Sequence, residues 1–220
     1  MKRTHGVFII ICAVAALVAT LVFVFLFLQT PKITNYPPSG ARIVMLGDSL
    51  TVGIGASSIE NGLVPLLEKR IGVSIINRGV SGNTTRDALL RLSQDVLAEK
   101  PDITIILLGG NDYLKRVPEK ETFDNLRSII SQIQSGGSVV LLLGIRGGLL
   151  VDRFDDQFKA LAHETGSLFV PNVLDNIFGQ QQLMSDGIHP NDRGYEKIVD
   201  KIAPSVLGIL PPTTGDTTGD

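Results

Sequence analysis

The chain has one cysteine, Cys12, in 220 residues, and no tryptophan. A single thiol rules out disulfides within the chain and any cysteine metal cluster. Histidine is nearly as scarce, with only His5, His163 and His189. No glycine is followed by lysine, so a Walker A phosphate loop is absent, and the stretch from Gly47 to Ser58 lacks the third glycine of a dinucleotide fingerprint. His163-Glu164 has no second histidine in zincin register, and no Gly-x-Ser-x-Gly elbow exists. Charge of neither sign dominates: the formal net charge is -2. Without a basic stripe to neutralise phosphates, nucleic acid is not an expected partner.

What the sequence has in quantity is apolar residues, 44% of the total. Much of that is one run, residues 7–28, in which only Thr20 is not apolar. As a helix it would measure about 33 Å, enough for a bilayer core. Signal-peptide cores run about 7–15 residues. Gln29-Thr30-Pro31-Lys32 carries no small-x-small cleavage pattern. The sequence therefore predicts an uncleaved transmembrane anchor over 7–28 behind a short head, residues 1–6. Secretion after cleavage is the alternative. Lys2, Arg3 and the α-amino group favour a cytoplasmic head, which puts the rest of the chain on the extracytoplasmic side as a single-pass protein.

Residues 29–40 contain Pro31, Pro37, Pro38 and Gly40 and read as a linker with little regular structure. From residue 41 to about 210, strand and helix patterns alternate. Short apolar strands are expected at 42–46, 73–77, 102–108, 138–144 and 167–170. Helices are expected at 59–71, with Pro65 forcing a late start or a kink, and at 84–100, 123–134, 153–165 and 191–207. The last ten residues, 211–220, are low-complexity and expected to be disordered. This alternation predicts an α/β domain with a mostly parallel sheet covered on both faces. Ligands bind such sheets beyond the carboxyl ends of the strands. Three of the four exits, at Gly47-Asp48-Ser49-Leu50, Asn77-Arg78-Gly79-Val80 and Gly109-Gly110-Asn111-Asp112, are rich in small or polar residues, and the fourth is Gly144-Ile145-Arg146.

With phosphate, dinucleotide and metal chemistries set aside, acyl transfer remains. A serine needs a base to become a nucleophile. His5 precedes the apolar run and His163 lies on the polar face of its helix, which leaves His189 in Asp186-Gly187-Ile188-His189-Pro190. Asp186, three residues earlier, can accept a hydrogen bond from its other ring nitrogen. On spacing alone, His189 is as well explained as a loop histidine capping the next helix, and Ser49 as an N-cap.

Four blocks in order, Gly47-Asp48-Ser49-Leu50, Gly79, Gly109-Gly110-Asn111-Asp112 and Asp186-Gly187-Ile188-His189, resemble those of the GDSL, or SGNH, hydrolases over residues 41–208. Arg78-Gly79-Val80-Ser81-Gly82-Asn83-Thr84-Thr85 and Leu108-Gly109-Gly110-Asn111-Asp112 are most similar to the bacterial thioesterase I / lysophospholipase L1 / arylesterase branch. The resemblance implies a flavodoxin-like three-layer α/β/α sandwich with about five parallel strands. It implies Ser49 as nucleophile, His189 as base and Asp186 as the base's partner. Main-chain N–H groups of Ser49 and Gly79 with the side-chain amide of Asn111 would form the oxyanion hole. Asp48 and Asp112 are expected to be structural. The loops after Gly79, Asn111 and Gly144 are expected to bind the acyl group, with 145–150 as a lip. The implied activity is hydrolysis of carboxylic esters or thioesters of acyl chains, such as lysophospholipids, acyl thioesters or aryl esters. It needs no metal or organic cofactor, and a monomer is expected. A carbohydrate O-acetylesterase acting on envelope polysaccharide is the alternative, and a silent anchored binding module a third.

Overall fold

The computed structural model describes residues 12, 14–20, 32–145 and 153–212. The chain divides into two units, Met1–Lys32 and Ile33–Asp220. In the first, residues 12 and 14–20 are helical. The rest of the expected 7–28 anchor lies outside the described residues. Among the described residues, no helix is long and apolar enough to cross a membrane.

The second unit is built on three largely apolar strands, with Thr104 the one polar residue among them: β1 (Ile43–Gly47), β3 (Ile103–Leu107) and β4 (Val139–Leu143). All their residues are buried, as expected of central strands covered on both faces. β2 (Ile75–Gly79) and β5 (Leu168–Val170) close the edges. The five strands are parallel in the order β2-β1-β3-β4-β5, the flavodoxin-like arrangement implied by the resemblance.

Two helices pack on each other on one face, α2 (Leu63–Ile71) and α7 (Asp192–Leu207). α3 (Thr85–Asp95), α5 (Glu119–Ser135) and α6 (Arg153–Thr165) form a second packed set. Two short helices complete the order: α1 (Ser49–Val52) follows β1, and α4 (Gly110–Leu114) follows β3. Pro65 sits in the first turn of α2, where its missing N–H costs no intrahelical bond. The residues before it form only a 3-10 turn, Ile59–Asn61, which is the late start the proline demanded. α3 opens on a capping box: Thr84 N–H donates to Asp87 Oδ2 at 2.9 Å, and Asp87 N–H donates to Thr84 Oγ1 at 3.3 Å.

Two expectations need correction. β2 runs two residues further than the apolar pattern of 73–77, because an edge strand is less buried than the central ones and can carry polar Asn77 and Arg78, one on each face. Residues 33–40 have little regular structure, as expected, but they belong to the second unit and are bound to it. Thr34 N–H donates to Gly166 O at 2.9 Å, Asn35 Nδ2 to Gln134 O at 2.7 Å, and Ser39 Oγ to Asp102 Oδ1 at 2.6 Å. The proline-rich stretch is tied to the domain by its polar side chains. Of the expected tail, residues 213–220 lie outside the described residues.

Candidate active site

Ser49 is the first residue of α1, directly beyond the end of β1. The chain turns from strand to helix within Gly47-Asp48. A methyl group on Gly47 would fall 1.9 Å from Thr51 Oγ1 and 2.9 Å from Leu107 O, so only glycine fits. Asp48 caps the helix, its Oδ1 accepting from Leu50 N–H at 3.0 Å. At the first helical position, Ser49 N–H has no intrahelical acceptor.

His189 comes from the loop before α7, 140 residues away, and its Nε2 lies 3.0 Å from Ser49 Oγ. Its Nδ1 lies 2.7 Å from Asp186 Oδ2. With the ring proton on Nδ1, Nε2 is left to accept from the serine hydroxyl. Asp186 Oδ1 accepts from the N–H groups of Ile188 at 2.8 Å and His189 at 2.7 Å. The hydrogen bond to the His189 ring, helped by those two N–H groups, holds the Asp186 carboxyl down to about 2. His163 is exposed on α6, as expected, and His5 lies outside the described residues.

Asn111 sits in the first turn of α4 with its Nδ2 3.2 Å from Asp48 Oδ2 and 3.1 Å from Asn83 O. Asp48 is 3% exposed, and burial pushes its carboxyl up to about 6. Asp112 is fully buried and accepts from Thr85 N–H at 2.9 Å and Thr85 Oγ1 at 2.6 Å, which ties α4 to the start of α3. Both aspartates brace the site, as expected.

Gly79 does not join this group. It is the last residue of β2, paired with Gly47, and its N–H donates to Asn77 Oδ1 at 2.8 Å. A Cβ there would press on Val52 N at 2.7 Å, at the far end of the serine's helix. Gly82, three residues on, has the free donor. Its φ is +78°, a Cβ there would meet no atom within 4 Å, and its N–H has no partner among the described residues. Lys115 Nζ holds its carbonyl at 2.8 Å, and the next residue, Asn83, touches Asn111. The sequence signal was the Ser-Gly-Asn turn directly before the Thr84 cap.

Ser49 and His189 open on a cavity of about 320 Å³. Its apolar wall is Tyr113, Leu114, Ile145, Leu174, Phe178 and Ile188. The Tyr113 ring is held edge-on to Phe154 at 5.7 Å. The loops after Asn111 and Gly144 contribute as expected, while residues 146–150 of the expected lip lie outside the described residues. The loop after Gly79 does not line the cavity. The turn at 172–178 falls between the elements expected from the sequence, although Val173, Leu174, Ile177 and Phe178 have helical apolar spacing. Within that turn Asn172 has φ +28°, its N–H is held by Asp155 and its carbonyl by Lys201. Among the described residues, no cluster of three or more His, Cys, Asp or Glu side chains could hold a metal ion.

A serine, a histidine and a carboxylate in one hydrogen-bonded line, at the carboxyl ends of a parallel sheet, constitute a site for acyl transfer. The chain belongs to the GDSL-like lipase/acylhydrolase family, which it matches over residues 45–197. It is 30% identical over 179 residues to the esterase TesA of Pseudomonas aeruginosa, covering 76% of this chain and 89% of that one. It is 29% identical over 195 residues to the thioesterase 1/protease 1/lysophospholipase L1 of Escherichia coli, covering 86% and 92% respectively. A crystal structure of TesA superimposes with a TM-score of 0.70 at 30% identity, covering 77% of this chain and 99% of that one.

Proposed function

We propose that the protein hydrolyses carboxylic esters and thioesters of medium or long acyl groups through an acyl-enzyme on Ser49. The contact that carries this reading is Ser49 Oγ to His189 Nε2 at 3.0 Å, with Asp186 behind the ring. Ser49 Oγ attacks the carbonyl carbon while its proton passes to Nε2. The oxygen that gains charge is met by the N–H groups of Ser49 and Gly82 and by the Asn111 amide, whose hydrogen bond to Asp48, at 3.2 Å, is long enough to be exchanged for one to the oxyanion. The imidazolium then protonates the leaving alcohol or thiol. Water, deprotonated by the same ring, releases the acid.

The wall from Tyr113 to Ile188 supports an acyl group longer than acetyl. A two-carbon acyl group would leave most of that apolar surface unused. The carbohydrate acetylesterase is therefore the weaker reading. A transmembrane anchor over 7–28, with the domain on the extracytoplasmic side, remains our proposal from the sequence. It rests on the unbroken apolar run and the positive head. Release of the full chain from washed membranes by salt alone would argue against it.

The test is hydrolysis of nitrophenyl esters from acetyl to palmitoyl. Wild type should favour the longer chains, and Ser49→Ala should fold but lose at least about 10³-fold in kcat. Equal activity of Ser49→Ala and wild type would falsify the mechanism. Strict acetyl preference would restore the carbohydrate reading.

A further inference from the structure

Arg91 lies on α3, away from the cavity, and its guanidinium meets three different segments of the site. Nη2 donates to Gly47 O at 3.1 Å and to Arg78 O at 2.9 Å. Nε donates to Asn83 Oδ1 at 2.7 Å. Nη1 is held by Asp95 Oδ2 at 2.7 Å, one turn along the same helix. The side chain is only 17% exposed, so these bonds are largely screened from water.

The three contacts outside α3 lead to the proposed oxyanion donors. Gly47 O is the last acceptor of β1, two residues before Ser49, and it also takes Val80 N–H at 3.1 Å. Arg78 O belongs to the strand that leads into the 80–83 turn. Asn83 is bound at both ends: its side chain takes the Arg91 Nε proton, and its main-chain oxygen takes the Asn111 Nδ2 proton at 3.1 Å. Asn83 also fixes the peptide that follows Gly82. One planar, always-charged group thus ties the ends of β1 and β2 to the turn that carries Gly82 and meets Asn111. Arginine suits this task because its donors form a rigid fork, whereas a lysine ammonium is a point charge on a flexible stem.

We propose that Arg91 is the positioning residue of the oxyanion hole: it sets the spacing between the Ser49 N–H, the Gly82 N–H and the Asn111 amide without touching substrate. The proposal rests on the Ser49 mechanism above and deepens it. Donors that pre-exist at the right spacing act mainly where charge develops. Disturbing them should therefore lower kcat more than it raises KM.

The experiment compares wild type, Arg91→Lys, Arg91→Met, Asn83→Ala and the Arg91→Met/Asn83→Ala pair in the full chain. Four measurements are made: kcat and KM on a nitrophenyl ester, affinity for an alkylboronic acid, affinity for the fatty-acid product, and endpoint labelling by a fluorophosphonate. The boronic acid forms a tetrahedral adduct on the serine and reads the oxyanion hole. The expected result for both Arg91 variants is a loss of about tenfold or more in kcat with KM within about threefold. Boronate affinity should fall in step with kcat, and fatty-acid affinity should stay unchanged. The double variant should be no worse than the poorer single one, since both cut the same link. Endpoint labelling should remain stoichiometric, which shows the nucleophile intact. A kcat within twofold of wild type in Arg91→Lys and Arg91→Met overturns the proposal. So do losses that multiply in the double variant, or boronate and fatty-acid affinities that fall equally. Should Arg91→Met not fold, Arg91→Lys and Asn83→Ala decide by the same criteria. If wild type itself takes no label, the Ser49 mechanism has failed, a result separate from any of these.

Discussion

Asp186 grips His189 twice: Oδ1 accepts its main-chain N–H at 2.7 Å, and Oδ2 faces ring Nδ1 at 2.7 Å. One carboxylate therefore sets both the position of the loop and the tautomer of the ring. In Asp186→Asn the amide can keep the two main-chain bonds through its oxygen, which points its NH2 at Nδ1. The ring proton must then move to Nε2, which would donate to the serine instead of accepting from it. The expected loss is about 10³-fold in kcat with little change in KM, checked by steady-state kinetics. A loss under tenfold would show that the carboxylate is dispensable.

The same carboxyl makes a second prediction, in stability. Its pKa is lowered from 3.8 to about 2 by the His189 ring and two N–H groups, so its stabilisation is present above about pH 4 and is lost as pH falls towards 2. Wild type should hold a higher melting temperature than Asp186→Asn near neutrality, and the gap should close over that acid window. A gap that does not change between pH 5 and pH 2 would contradict the assignment.

Tyr195 shows how the scaffold supports the nucleophile from behind. It is fully buried on α7, and its hydroxyl donates to Ile54 O at 2.6 Å. Ile54 N–H in turn donates to Ser49 O at 3.0 Å. Tyr195→Phe leaves that carbonyl without its partner and should cost about 1–3 kcal/mol, read as a lower urea midpoint with an unchanged slope. An unaltered midpoint would mean that water replaces the hydroxyl at no cost.

The parts of this protein that could be read from the sequence are those with a local physical signature. β1, β3 and β4 are buried on both faces and so appear as nearly continuous apolar runs, interrupted only by Thr104. His189 could be reached because histidine is so rare here. Gly79 was implied by the resemblance as an exit-loop donor, but β2 carries polar Asn77 and Arg78 and runs two positions past its apolar run, so Gly79 ends the strand and its N–H is taken by Asn77 Oδ1. The donor we propose in its place, Gly82, lies three residues on, at the positive-φ turn. Arg91 leaves no such trace. Two of its acceptors are main-chain carbonyls, which every residue possesses, and spacing cannot single them out.

The cavity wall gives a prediction about chain length. Leu114 and Phe178 line it, and each is about half exposed (55% and 44%), so each can still bury surface against a substrate. Leu114→Ser and Phe178→Ser should each remove about 1 kcal/mol of binding to a long acyl chain, about fivefold in kcat/KM. The acetyl ester, too short to reach them, should be hydrolysed at the wild-type rate. Equal losses on acetyl and palmitoyl esters would place the acyl chain elsewhere.

Asp48 links the charge of the site to the direction of the Asn111 amide. Its two oxygens accept from different donors, Leu50 N–H and Asn111 Nδ2, and only a carboxylate can satisfy both. In Asp48→Asn one of the two donors must face an NH2 group. If Leu50 keeps its acceptor, the Asn111 amide is pushed to turn over and presents its oxygen to the developing oxyanion. The expected result is a fall of about 10²-fold in kcat, the scale of losing one oxyanion donor. Stability should move the other way. Burial raises the Asp48 pKa from 3.8 to about 6, so the folded state holds a proton that the unfolded chain has released. Wild type therefore loses stability as pH rises through that interval, by about 3 kcal/mol in all, whereas asparagine does not titrate. Relative to wild type, Asp48→Asn should gain stability between about pH 4 and 6 and change little above it. Urea unfolding at half-unit steps of pH measures the difference, and a difference that stays flat across the window would mean that the buried carboxyl titrates normally.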